Sequence, residues 1–107
     1  MKRLTIRNAL KDLEGSDSLF AEQFTHGSLV VEFYQPGDPD LQQPHSRDEI
    51  YVVASGTGAF INDGIHQEVE TGEVLFVRAG IEHRFVEFST DFSTWVFFYG
   101  PEGGEQS

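Results

Sequence analysis

The sequence predicts an all-β domain, a small antiparallel sandwich or barrel, on three observations. The chain has 107 residues, which suits one domain around one core. Ten Phe, three Tyr and one Trp, with many Val, favour extended backbone. From Leu19 onward, short apolar runs alternate with turn residues every several positions.

Ahead of that pattern, Ile6, Leu10 and Leu13 fall at i, i+4 and i+7. That spacing predicts a short helix or an irregular arm, stopped at Gly15. The expected strands are then Phe20–Phe24, Ser28–Tyr34, Ile50–Val53, Gly58–Ile61, His66–Val69, Val74–Val77, His83–Phe88 and Thr94–Tyr99. His26-Gly27 separates the first two. Pro36-Gly37-Asp38-Pro39 closes the second, since Pro lacks a backbone donor and Gly permits positive φ. Asn62-Asp63-Gly64 carries an Asp-Gly hairpin signal, and Thr71-Gly72-Glu73 and Ala79-Gly80 mark further turns. The expected organisation is an N-terminal arm over 1–18, a barrel over 19–100 and a flexible polar tail over 101–107.

Seven Lys and Arg stand against 18 Asp and Glu, a formal charge of −11. That balance argues against nucleic acid and against an anionic membrane surface as partners. No Cys is present, which removes disulfides, thiolate ligands and Cys nucleophiles. The N-terminus has no continuous apolar stretch of the signal-peptide kind, and nothing approaches the ~20 apolar residues of a membrane span. The expected location is the cytoplasm.

Chemistry concentrates between Gln43 and Glu49. Residues two apart on a strand share a face, so Gln43, His45, Glu49, Tyr51 and Val53 have one parity if the segment is extended. His83, Phe85 and Glu87 form a second such set. Two imidazoles, a carboxylate and an amide oxygen meeting inside a barrel would be a reasonable donor set for Zn, Mn, Fe or Ni. His26 and His66 sit beside turns and read as structural or solvent-facing. Trp95, Phe97 and Tyr99 share a parity that is expected to line the cavity, with Phe98 on the other side. Arg78 and Arg84 are candidates for anchoring an anionic substrate.

The spacings Gly37-x5-Gln43-x-His45-x3-Glu49-x6-Gly56 and Gly72-x5-Arg78-x-Gly80-x2-His83-x3-Glu87 resemble the two sequence motifs of the cupin superfamily, in its small single-domain form. Gln43 stands where that family usually has its first His, Arg78 where it has Pro and Glu87 where it has Asn. The resemblance implies a double-stranded β-helix, a jelly-roll-like barrel, often a homodimer, with one divalent metal ion in its bore. Carried over by position, Gln43, His45, Glu49 and His83 are the implied metal ligands. The zinc-dependent phosphomannose isomerases, relatives of the cupins, are similar in using Gln, His, Glu and His. Gln offers only a neutral carbonyl oxygen, so it should bind a metal less tightly than His.

The expected function is a metal-binding cupin acting on a small molecule in the barrel cavity. With Fe or Mn it would be a dioxygenase, and with Zn an isomerase or lyase. Tyr51 and Glu87 are the candidates for a base beside the metal. The alternative is a non-catalytic module that binds a small ligand or a sugar.

Overall fold

The computed structural model describes residues 2–106; Met1 of the arm and Ser107 of the tail lie outside the described residues. One helix, α1 (Ile6–Glu14), precedes eight strands: β1 (Phe20–His26), β2 (Leu29–Tyr34), β3 (Asp48–Ser55), β4 (Thr57–Asn62), β5 (Ile65–Glu70), β6 (Val74–Val77), β7 (His83–Val86) and β8 (Ser93–Tyr99). They form a five-stranded sheet in the order β1-β2-β8-β3-β6 and a three-stranded sheet in the order β5-β4-β7. Every pairing is antiparallel. The result is a β-barrel of two facing sheets, as the turn-punctuated runs predict. Among the described residues, no helix is long and apolar enough to cross a membrane.

The barrel core joins side chains from both sheets: Tyr51 and Val53 of β3, Val77 of β6 and Val96 of β8 face Phe60, Val69 and Phe85, with Phe92 closing one end. Phe60 and Phe85 are cross-strand partners with ring centroids 4.5 Å apart. Tyr51 meets both edge-on, at 5.6 and 5.1 Å. Offset and edge contacts of this kind suit the charge distribution of aromatic rings. The β3–β4 corner is at Gly56, where φ is +80° and a Cβ would lie 2.4 Å from Ser89 Oγ. Only glycine meets both conditions without a shift.

The helix forms as its spacing predicts. Thr5 Oγ1 accepts from the Asn8 N–H at 3.2 Å, and the Gly15 N–H donates back to the Lys11 carbonyl. Its buried stripe is Ala9 and Leu13, set against Phe33, with Leu10 and Trp95 packed around them. The helix therefore covers the outer face of the five-stranded sheet.

That cover corrects one expectation. Trp95 faces the helix and stacks edge-on against Phe33 at 4.9 Å, while Val96 and Phe98 turn toward the barrel interior. Alternation then puts Phe97 and Tyr99 on the outer face with Trp95. The run Thr94–Tyr99 is apolar on both faces because both are covered, so composition alone does not choose between them.

Several strand ends shift by one or two residues, and two of the shifts bear on the site. β7 stops at Val86, because Glu87 adopts a left-handed φ of +53° and turns the chain. β3 starts at Asp48, where pairing with Tyr99 of β8 begins. The segment expected to be a flexible tail is tied down as far as Glu105. The Gly103 N–H donates to the Ser46 carbonyl at 2.6 Å, and the Glu105 N–H to Asp48 Oδ2 at 2.7 Å.

Candidate metal centre

Three of the four expected ligand residues converge. His45 lies in the connection from β2 to β3, Glu49 is the second residue of β3, and His83 opens β7, so the two sheets supply the two sides of the cluster. The loops that carry the imidazoles are bonded to each other: the Gly80 N–H donates to the His45 carbonyl at 2.7 Å. One donor atom from each of the three side chains lies within 4.8 Å of the others. Glu49 Oε1 is 2.9 Å from His45 Nδ1 and 2.7 Å from His83 Nε2.

Burial makes the arrangement costly as it stands. Glu49 is fully buried and His83 is 4 % exposed. Glu49 Oε2 has no hydrogen-bond partner among the described residues. A buried carboxylate with one unpartnered oxygen is unfavourable unless further positive charge meets it. A divalent cation would meet that need.

The protonation states follow from the same contacts. Burial works to raise the Glu49 carboxyl, but hydrogen bonds from His45 and His83 outweigh it and hold the group below its ordinary 4.5. Burial works to lower His83, but the Glu49 carboxylate and the Ile81 carbonyl outweigh it and raise the imidazole above its ordinary 6.5. His83 Nδ1 lies 2.8 Å from the Ile81 carbonyl oxygen, which can only accept, so Nδ1 carries a proton. In metal-free protein Nε2 also carries a proton and donates it to Glu49, and loss of that proton frees the Nε2 lone pair that a metal ligand needs. Two imidazole nitrogens and a carboxylate oxygen suit Zn, Fe, Mn or Ni.

Gln43 is exposed and borders a second cavity of about 370 Å³ that also reaches His83. The strand parity that aligned it with His45 does not extend to it, since β3 begins only at Asp48. Its neighbour Gln42 is the one drawn inward. Gln42 Oε1 accepts from the Tyr51 hydroxyl at 2.7 Å, and its amide donates to Asp40 at 2.7 Å. Tyr51 in turn sits 3.2 Å from His83 Nε2. Burial, then the charges of Glu49 and Asp40, keep the Tyr51 hydroxyl protonated well above its ordinary 10.

Asp40 anchors this network and was not legible as a functional residue. It is 5 % exposed and accepts from the Tyr34 hydroxyl at 2.5 Å and from the Phe85 N–H at 2.8 Å. The only local signal is an acidic residue between Pro39 and Leu41, which reads equally well as part of a turn.

Glu87 corrects another expectation. It lies outside the barrel, 74 % exposed, paired with His66 at 2.9 Å. Its left-handed backbone ends the period-two alternation that had placed it with His83. His26 and His66 lie outside the cluster, and both are exposed. Arg84 borders the second cavity, and Arg78 acts electrostatically on Asp48.

A cavity of about 480 Å³ leads to His45 and Tyr51. Its walls are mostly apolar, from Leu19, Phe20, Leu41, Val96 and Phe98, with Glu32 among them. Phe98 meets His45 edge-on at 5.0 Å.

Comparison with known proteins agrees with this fold. An uncharacterized protein of Streptomyces coelicolor is 30 % identical over 104 residues, spanning 95 % of this chain and 99 % of its own length. A crystal structure of unknown function from Rhizobium leguminosarum superposes with a TM-score of 0.74 at 22 % identity, covering 94 % of this chain and 98 % of that one. A Cupin 2 conserved barrel domain protein from Salinispora arenicola gives 0.66 at 16 % identity, covering 94 % and 88 %. The profile of the Cupin domain family, Cupin_2, matches residues 30–98, which hold all eight strands but β1 and the tip of β2 and β8, and the chain belongs to that family.

Proposed function

We propose that the protein is a metal-dependent cupin that takes a small molecule in the cavity beside His45. The observation that carries this reading is Glu49, a fully buried carboxylate held between two imidazoles with one oxygen unpartnered. His45, Glu49 and His83 would hold the ion, and the exposed Gln43 would add only a neutral oxygen. A divalent metal there would supply Lewis acidity or, as Fe or Mn, redox chemistry. With Fe or Mn the reading is a dioxygenase, and with Zn an isomerase or lyase.

The chain's own residues have separable parts in this reading. The Ile81 carbonyl fixes the His83 ring, and Tyr51 stays protonated and donates its hydrogen bond to Gln42. Val96 and Phe98 keep water from the wall near His45. A non-catalytic binding module is the second reading, and one observation favours it. Neither base candidate is suited to that task, because Tyr51 holds its proton far above neutral pH and Glu87 lies outside the barrel. The proposal extends to a homodimer, for which Val74 and Phe76 on the edge strand β6 offer exposed apolar surface.

Elemental analysis of protein purified without a polyhistidine tag or chelators tests the reading. The expected result at mildly alkaline pH is about one equivalent of Zn, Fe, Mn or Ni per chain. Protons compete for His83, so affinity should fall as pH drops through that residue's raised pKa. In metal-free protein the sign differs. The raised His83 stabilises the fold fully below 6.5 and loses that contribution as pH rises through its folded pKa. The depressed Glu49 contributes above 4.5 and loses it as pH falls through its own. Protein that stays metal-free after incubation with each of the four ions would sink the reading.

A further inference from the structure

The strand register places a carboxylate on the cavity wall that the metal cluster does not use. Glu32 of β2 pairs with Val96 of β8, and Val96 pairs with Tyr51 of β3. Two inter-strand steps separate Glu32 from Tyr51, roughly 10 Å along one face of the sheet. Glu32 is half-buried and borders the 480 Å³ cavity together with His45 and Tyr51. Burial raises its carboxyl above the ordinary 4.5, His45 offsets this in part, and Glu22 and Glu49 add to it.

No Lys or Arg borders this cavity among the described residues. Arg84, next to His83, borders the second cavity instead, and Arg47, between His45 and Glu49 in sequence, is committed elsewhere: its guanidinium donates to the Gly100 and Ser28 carbonyls. An anionic ligand would therefore meet Glu32 with no side-chain cation to compensate, in a chain of formal charge −11. The rest of the wall is mostly apolar, with Ser18 and Gln42 as uncharged polar members, and Leu19, Phe20 and Leu41 stand at its rim 52, 49 and 77 % exposed. The volume falls in the range of cavities that enclose small organic ligands.

We infer that the cavity takes an uncharged, largely apolar small molecule whose hydroxyl or N–H group donates to Glu32, which makes Glu32 a specificity-determining residue. The inference rests on the reading of this cavity as the ligand site of the cupin. A hydrogen bond to a carboxylate in a partly desolvated wall is stronger than one between neutral groups, and a ligand lacking the donor leaves the carboxylate unpaired. On the same ground, anions are disfavoured at the Glu32 wall, away from the charge of an ion at the cluster.

Isothermal titration with three probes of one shape tests this: 2-naphthol, which donates; 2-methoxynaphthalene, which cannot; and 2-naphthoate, which is an anion. Each is titrated into metal-loaded and metal-free protein. Wild-type protein should bind the naphthol about tenfold more tightly than the ether and, when metal-free, more tightly than the naphthoate. Glu32→Leu should bring the naphthol-to-ether ratio close to one. Glu32→Gln keeps an acceptor, so it should retain part of that ratio while improving naphthoate binding. Metal content should be unchanged in both variants, since neither alters a ligand residue. If no ion binds to wild type, the metal reading fails, yet the naphthol preference is still read on metal-free protein. Naphthoate binding as tight as naphthol in metal-free wild type would overturn the inference. So would a naphthol-to-ether ratio unmoved by Glu32→Leu, or no binding of naphthol at all.

Discussion

His83→Ala is expected to lower metal affinity by at least about a hundredfold and to leave the purified protein nearly free of metal. The variant removes one of only two imidazoles in the cluster, and the one whose tautomer is fixed by the Ile81 carbonyl. The remaining donors, His45 and Glu49, would form an incomplete shell on one side of the barrel. His26→Ala is the matched control, because His26 is exposed and absent from the cluster. Metal analysis after dialysis checks both. A His83→Ala protein that keeps its ion would remove β7 from the site.

Phe85→Ala should cost about 3–5 kcal/mol of folding stability, among the largest single losses available to a domain of this size. Phe85 is fully buried, with the rings of Phe60, Phe92 and Tyr51 at 4.5, 5.0 and 5.1 Å. Truncation opens a cavity between the sheets that these rings fill only by shifting. At roughly 4–8 °C per kcal/mol for a domain near 100 residues, the melting temperature should drop by about 15 °C or more. Ile65→Ala, on the edge strand β5 and 63 % exposed, should cost under about 1 kcal/mol. Denaturant unfolding of both variants measures the difference. Similar losses at the two positions would mean that the core is not centred on the Phe60–Phe85 contact.

The strands were legible because turn chemistry brackets them. Asp63-Gly64, Gly72 and Gly80 all have positive φ at the turns where the sequence needs it. The helix was legible because a 3.6-residue period precedes a glycine. His45, Glu49 and His83 were reached through two spacings taken together, although neither contains long-range information by itself. What the sequence hid depends on tertiary context. The face of β8 could not be chosen from Thr94–Tyr99, because the helix covers one side and the barrel interior the other. Glu87 followed the right parity until its backbone turned left-handed. Asp40 and Gln42 acquire meaning only when Tyr34, Tyr51 and Phe85 arrive from three strands to share them. Glu32 read as one more acidic residue among 18, and only the register with Val96 and Tyr51 places it on the cavity wall.

X-ray absorption spectroscopy at the metal edge of the loaded protein tests the central claim most directly. Two imidazoles with oxygen donors completing the shell is the predicted result, falling to one imidazole in His45→Ala. A shell of oxygens alone, or an imidazole count unchanged by that substitution, would contradict a centre built from His45, Glu49 and His83.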